Sequence, residues 1–211
     1  MTSTEAYARL RGLKVPVLQT ADAAAALGVP AGTAQKILGR LARAGLFTHV
    51  SHGLWAAGES VDPLVLTEAL TAPLPSYVSL QTALYHHGLI SQVPAVVYAV
   101  TLGRTRRMRT AVATFSFHHV APEIFGGFEV GPTGVKLATP EKAVFDVLYL
   151  SGKRTRQFST LPELELPRSF RWSAVGSWLE RVTFARDRTI IERRIAELRS
   201  GERSREPGFR L

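Results

Sequence analysis

Two adjacent histidine pairs, His86-His87 and His118-His119, are the residues whose type and spacing come nearest to a catalytic metal site. Neutral imidazole is a common ligand of divalent metals. One histidine from each pair, converging with Glu123 or Asp146, would supply the donors for metal-assisted hydrolysis. The spacing argues against it. Neighbours on a strand point to opposite faces, and neighbours on a helix diverge by roughly 100°, so neither pair chelates one ion. Histidines hydrogen-bonded at the edge of a packed core are the simpler expectation. The chain has no cysteine, which removes disulfides, thiolate zinc sites and thiol nucleophiles together. It also lacks a glycine-rich phosphate loop and a paired-aspartate motif. Glu141-Lys142 reads as the charged start of a helix. The expectation is a non-enzyme with no catalytic residue, no metal and no cofactor; a metal-dependent nuclease is the minor alternative.

The cations carry more information. Twenty-six Lys and Arg face seventeen Asp and Glu, a net charge of +9, and the pI is near 10.5. Such a balance points to a polyanionic partner, most commonly nucleic acid. Up to Gly58 the cations are Arg9, Arg11, Lys14, Lys36, Arg40 and Arg43, against only Glu5 and Asp22. No acidic residue occurs between Ala23 and Ala57. A second cluster, Arg104, Arg106, Arg107 and Arg109, packs four mutually repelling charges into a stretch read as a basic turn at a hairpin tip. It is a candidate patch for phosphate or for an acidic protein face.

Elements that would position the first group follow from the pattern. Ala6, Tyr7, Leu10 and Leu13 have helical spacing. Thr20 is placed to cap a short helix from Ala21 to Leu27, closed by Gly28. Val29-Pro30-Ala31-Gly32-Thr33 is a tight turn with proline where a helix can begin. The next helix runs to about Ala44 with Ala34, Ile37, Leu38 and Leu41 as its buried stripe, and Gly45 ends it. A strand from Leu46 to Val50, a turn at Ser51-His52-Gly53 and a strand from Leu54 to Ala57 complete the wing of a winged helix-turn-helix. The second helix of such a unit enters the major groove. Its outward face carries Thr33, Gln35, Lys36, Arg40 and Arg43. Gln35 and Lys36 lie early enough to read bases; Arg40 and Arg43 suit phosphates. His49 and His52 on the wing suit the backbone or minor groove.

After a linker over 57–63, the pattern predicts helices at Pro63–Thr71 and at Tyr77–His87, the latter capped by Ser76. Strands follow at Ala95–Thr101, Ala111–Val120, Phe128–Val130 and Val135–Ala138. Thr139-Pro140-Glu141 starts a helix with Ala143, Val144, Val147 and Leu148 as its stripe. The end is helical over Ser173–Val182 and Asp187–Arg199, with a basic tail beyond.

The run from Pro75 to Ile90 (PSYVSLQTALYHHGLI) resembles the AbiEi family of antitoxins. So do the Val97–Thr101 strand with Gly103-Arg104 after it, the Phe117–Val120 strand, and the Ala138–Ala143 helix start. With the winged helix, the resemblance covers roughly residues 5 to 150. It implies a type IV toxin–antitoxin system: a DNA-binding domain repressing its own operon at inverted repeats, and a C-terminal domain countering a nucleotidyltransferase-like toxin. The expected fold is therefore α+β, with a winged helix-turn-helix over residues 1–58 and a larger mixed α/β antitoxin domain over 63–211. A ligand-responsive winged-helix transcription factor is the other alternative. No apolar run approaches the ~20 residues of a membrane span, and no apolar stretch at the N-terminus reads as a signal peptide. A cytoplasmic protein with no membrane partner is expected.

Overall fold

The computed structural model describes residues 1–151 and 163–203. Its elements are α1 (Ser3–Gly12), β1 (Val17–Gln19), α2 (Thr20–Leu27), α3 (Ala31–Arg43), β2 (Phe47–Ser51), β3 (Leu54–Ala57), α4 (Thr67–Thr71), β4 (Ser76–Val78), α5 (Leu80–His86) and β5 (Val97–Thr101). Then come β6 (Arg106–Arg109), β7 (Thr114–His119), β8 (Phe128–Val130), β9 (Lys136–Ala138), α6 (Pro140–Ser151), α7 (Trp172–Leu179) and α8 (Ala185–Arg203). The fold is mixed α+β. Among the described residues, no helix is long and apolar enough to cross a membrane. Residues 204–211, the end of the expected basic tail, lie outside the described residues.

The chain divides into two compact units. The first comprises residues 1–78, 95–119 and 130–136. In it, α1, α2 and α3 pack on one face of a small antiparallel sheet ordered β1-β3-β2, around Leu10, Leu27, Leu38, Leu41, Phe47 and Trp55. This arrangement is compatible with a winged helix. The periodic stripe expected of α3 is the one buried: Ala34, Ile37, Leu38 and Leu41 are each 4% exposed or less. Gly28 ends α2 and Gly45 follows α3, both at positive φ (67° and 72°), a region open to glycine at little cost. Thr20 does not cap α2 as its sequence position suggests. It is already helical, and its hydroxyl accepts from Trp55 Nε1 at 3.0 Å. The capping is done by Asp22, whose carboxylate accepts from the Gln19 N–H at 2.9 Å.

The opposite face of the small sheet is also covered. Val50, Leu54 and Ala56 pack with Leu66, Leu70, Ala99, Phe115 and Phe117 in a second buried cluster. The strands of that cluster run β6-β7-β5-β4, with β7 parallel to β5 and both outer pairs antiparallel. Three expectations are corrected here. Pro63–Leu66 forms a 3-10 turn before the short α4, so the helix over Pro63–Thr71 is split. Ser76–Val78 is a strand and not the start of a helix, because its backbone pairs with Thr101, Val100 and Ala99. Arg106–Arg109 is also a strand, so the antiparallel leg is β6, and β7 runs parallel to β5 rather than returning against it. The turn lies later, at Thr110–Ala113, where the Thr110 hydroxyl accepts from the Val112 and Ala113 N–H groups, both at 3.1 Å.

The second unit comprises residues 79–94, 120–129 and 137 onward. Its centre is α6, capped by Thr139, whose hydroxyl accepts from the Lys142 N–H at 3.3 Å. The expected stripe of Ala143, Val144, Val147 and Leu148 is buried, and so is every other residue from Glu141 to Ser151. Lys142 and Asp146, one turn apart, are both inaccessible to solvent and form an ion pair. Asp146 also accepts from the Ser79 hydroxyl at 2.7 Å. The Lys142 ammonium lies 4.5 Å from the Trp178 ring centre and 5.1 Å from that of Phe145. Burial pulls its pKa below the ordinary lysine value, and Asp146 opposes that pull. Gly127 closes over this centre at φ 72°; a Cβ there would stand 2.6 Å from Trp178 and 2.9 Å from Lys142.

Candidate nucleic-acid interface

A helix buries one stripe and leaves the rest to solvent. On α3 the charged residues of the exposed remainder, Lys36, Arg40 and Arg43, are all cations. Thr33, Lys36, Gly39, Arg40 and Arg43 line one shallow, open groove along the helix. From Thr33 to Arg43 the stripe runs ~15 Å at 1.5 Å per residue. Among the described residues, no carboxylate pairs with Lys36, Arg40 or Arg43. Arg43 Nε donates to the Gly39 carbonyl one turn back at 3.3 Å, which holds its guanidinium along the helix. Gln35 is exposed on α3 but does not line the groove.

Gly39 is the member of this groove that sequence reasoning missed. The signal was present: a glycine inside an otherwise strongly periodic helix weakens it by about 1 kcal/mol relative to alanine. A Cβ built on it meets nothing within 4 Å, so nothing inside the protein requires glycine there. Gly39→Ala is expected to raise stability by about 1 kcal/mol, which in a chain of this size is about 2–4 °C in Tm. A thermal melt showing no gain or a loss would mean that α3 needs the glycine.

The two hairpin histidines differ in setting. His49 sits opposite Trp55 in the β2–β3 ladder, its ring centre 4.5 Å from that of Trp55. With Trp55 held by Thr20, this imidazole is fixed on the outer surface of the hairpin. His52 is exposed in the turn itself.

The four clustered arginines are not equivalent. Strand alternation turns Arg106 and Met108 toward the buried cluster, opposite Phe117 and Phe115, and turns Arg107 and Arg109 to the other face, opposite Ser116 and Thr114. Arg106 donates to the Leu70 carbonyl at 2.6 Å, and its guanidinium lies 5.8 Å from the Phe117 ring centre. All four arginines are exposed as residues, Arg106 included, so what sets Arg106 apart is its bond to Leu70 and its place over Phe117.

Several of the histidines and acids considered for metal binding are engaged with other groups. Among the described residues no group of three or more His, Asp or Glu side chains could hold an ion. His118 is buried against Ser116, 2.9 Å from its hydroxyl, and stacks on Tyr98. Burial pushes its pKa down from 6.5 to about 4. His119 bonds to the Gly103 carbonyl at 3.0 Å, and His87 to the Ala138 carbonyl at 2.7 Å. Asp146 is engaged with Lys142 and Ser79. Glu141 accepts from the backbone and side chain of Arg171, beyond the capping role that its sequence position suggests.

No protein-family model matches the chain, and no curated protein matches it in sequence.

Proposed function

We infer that this chain is a DNA-binding repressor that reads sequence with α3 as the recognition helix of a winged helix. One observation carries the reading: Lys36, Arg40 and Arg43 line one groove on the exposed face of α3, and among the described residues no carboxylate pairs with any of them. A face of that kind repels itself unless a polyanion covers it. In this reading Lys36, with Gln35 beside it, contacts base edges in the major groove, and Thr33, Arg40 and Arg43 position the helix on phosphates. His49 and His52 meet the backbone on the wing side. The chain acts without catalysis or cofactor, in the cytoplasm.

The wider role rests on the resemblance of residues 5 to 150 to the AbiEi antitoxins. It makes the bound DNA an inverted repeat upstream of the protein's own operon. It makes the second partner a nucleotidyltransferase-like toxin, countered by contact or by effect. Ligand sensing and metal-dependent cleavage remain the other classes of reading; no cluster of metal-ligating side chains among the described residues favours cleavage.

Fluorescence anisotropy on the DNA just upstream of the gene, across a salt series, tests the repressor. The upstream duplex is expected to bind much more tightly than a scrambled one. Lys36→Ala/Arg40→Ala is expected to lose about 2 kcal/mol, roughly thirtyfold in Kd, with most of the discrimination. Equal weak binding of both duplexes, unchanged in the double variant, would remove the recognition-helix assignment.

A further inference from the structure

We propose that Gly39 is the point where DNA comes closest to α3: one backbone phosphate seats against the bare helix there, held by Arg43. The proposal rests on the DNA-binding reading above and names a contact inside the groove that reading uses.

Glycine is an unfavourable choice at this position. Gly39 lies in the interior of α3, where glycine is worse than alanine by about 1 kcal/mol. The protein itself gives no reason for it, since the backbone there is ordinary helix and a Cβ would meet nothing within 4 Å. Space for Arg43 is not the reason either: its side chain also lies beyond that distance, so alanine would leave it where it is. Openness alone does not mark a contact, because Gly176 in α7 is equally open. What singles out Gly39 is its company.

Lys36 stands three residues before Gly39 and Arg43 four residues after it, spacings that bring all three to one face of the helix. The two cations are ~10 Å apart along the axis, with Gly39 between them. All three line the same groove. Arg43 Nε donates to the Gly39 carbonyl at 3.3 Å. That bond occupies one of the five guanidinium donors and fixes the group beside the gap without filling it. No carboxylate among the described residues pairs with Arg43. A phosphate suits the place, because guanidinium presents a fork that matches its oxygens, and a ligand approaches a helix backbone most closely at glycine. A methyl group there would hold the phosphate away from Arg43.

The competing account is tolerance, a glycine whose cost the fold absorbs. It predicts that substitution raises stability and leaves DNA binding alone. The contact predicts that stability and affinity move in opposite directions.

The experiment is a salt series with the full chain on the upstream and scrambled duplexes, beside thermal melts. It compares wild type, Gly39→Ala, Gly39→Gln, Arg43→Ala and Gly39→Ala/Arg43→Ala. Both glycine replacements are expected to raise Tm and to weaken binding, alanine by about tenfold and glutamine by more. Preference for the upstream duplex should be kept, because a phosphate carries no sequence information. Gly39→Ala changes no charge, yet it should flatten log affinity against log salt by about 0.9, as Arg43→Ala does. The double variant should flatten it by no more than about 0.9, since the same phosphate is lost only once. A raised Tm with unchanged binding overturns the contact and leaves the recognition helix standing. Slope changes that add in the double variant overturn the shared phosphate. A lowered Tm in Gly39→Ala means that the glycine serves the fold, and a loss of preference puts a base edge at Gly39; either result overturns the proposal. If wild type does not distinguish the two duplexes, the repressor reading fails, and this contact with it.

Discussion

Asp146→Ala is expected to be the most damaging single substitution in the second unit, costing about 3–5 kcal/mol. Asp146 and Lys142 are both fully buried. Removing the carboxylate leaves an ammonium enclosed by Trp178 and Phe145, with its main counter-charge gone. It also takes the acceptor from the Ser79 hydroxyl. Against a typical total stability of about 5–15 kcal/mol, such a loss would unfold a large share of molecules only if this chain lies near the bottom of that range. Urea denaturation measures the loss. The double replacement Lys142→Met/Asp146→Leu is expected to recover most of it, because removing both charges ends the desolvation cost that one alone must bear. If Asp146→Ala cost under 1 kcal/mol, the pair would have to be hydrated and the enclosure by Trp178 would be open.

The second large effect is a pH dependence centred on His118. The unfolded chain protonates this imidazole near its ordinary value of 6.5, whereas burial in the fold lowers the value to about 4. Above pH 6.5 both states are neutral and the histidine contributes nothing to the balance. As the pH falls below that value the unfolded state takes up the proton first, so stability drops, and the loss levels off below about 4. At about pH 4.5 the penalty is about 2–3 kcal/mol. Urea denaturation at about pH 7 and about pH 4.5 should show wild type losing that much more than His118→Phe. Equal losses in the two proteins would mean that the ring is protonated in the folded state and reached by water.

Legibility in the sequence followed the range of the forces involved. Helix α3 was readable because Ala34, Ile37, Leu38 and Leu41 set a local period and Gly45 supplies a local stop. Its cationic face followed at once, since whatever is not in the stripe is outside. Ser76–Val78 was not readable as a strand: three residues carry too little period, and the partner that makes them a strand, Ala99–Thr101, is over twenty positions away. Arg106–Arg109 looked like a turn because charge dominates it, and only Phe115 and Phe117 across the ladder show that Met108 and the Arg106 stem have a face to cover. Helix α6 misled in the opposite direction. Lys142 and Asp146 at i and i+4 have the spacing of a solvated surface pair. What buries them, Trp178 and Gly127, comes from other parts of the chain.

The apolar back of the β2–β3 hairpin makes the three-helix head of this protein a poor candidate for transplantation. A fragment ending near Gly58 would keep every side chain of the α3 groove but would strip the cover from Val50, Leu54 and Ala56. Such a bare patch invites association with any similar surface. The outside of α3 can therefore be rewritten without touching that cover, while exchanging the whole three-helix head between proteins would require carrying the segments that hold Leu66, Leu70, Ala99, Phe115 and Phe117 with it.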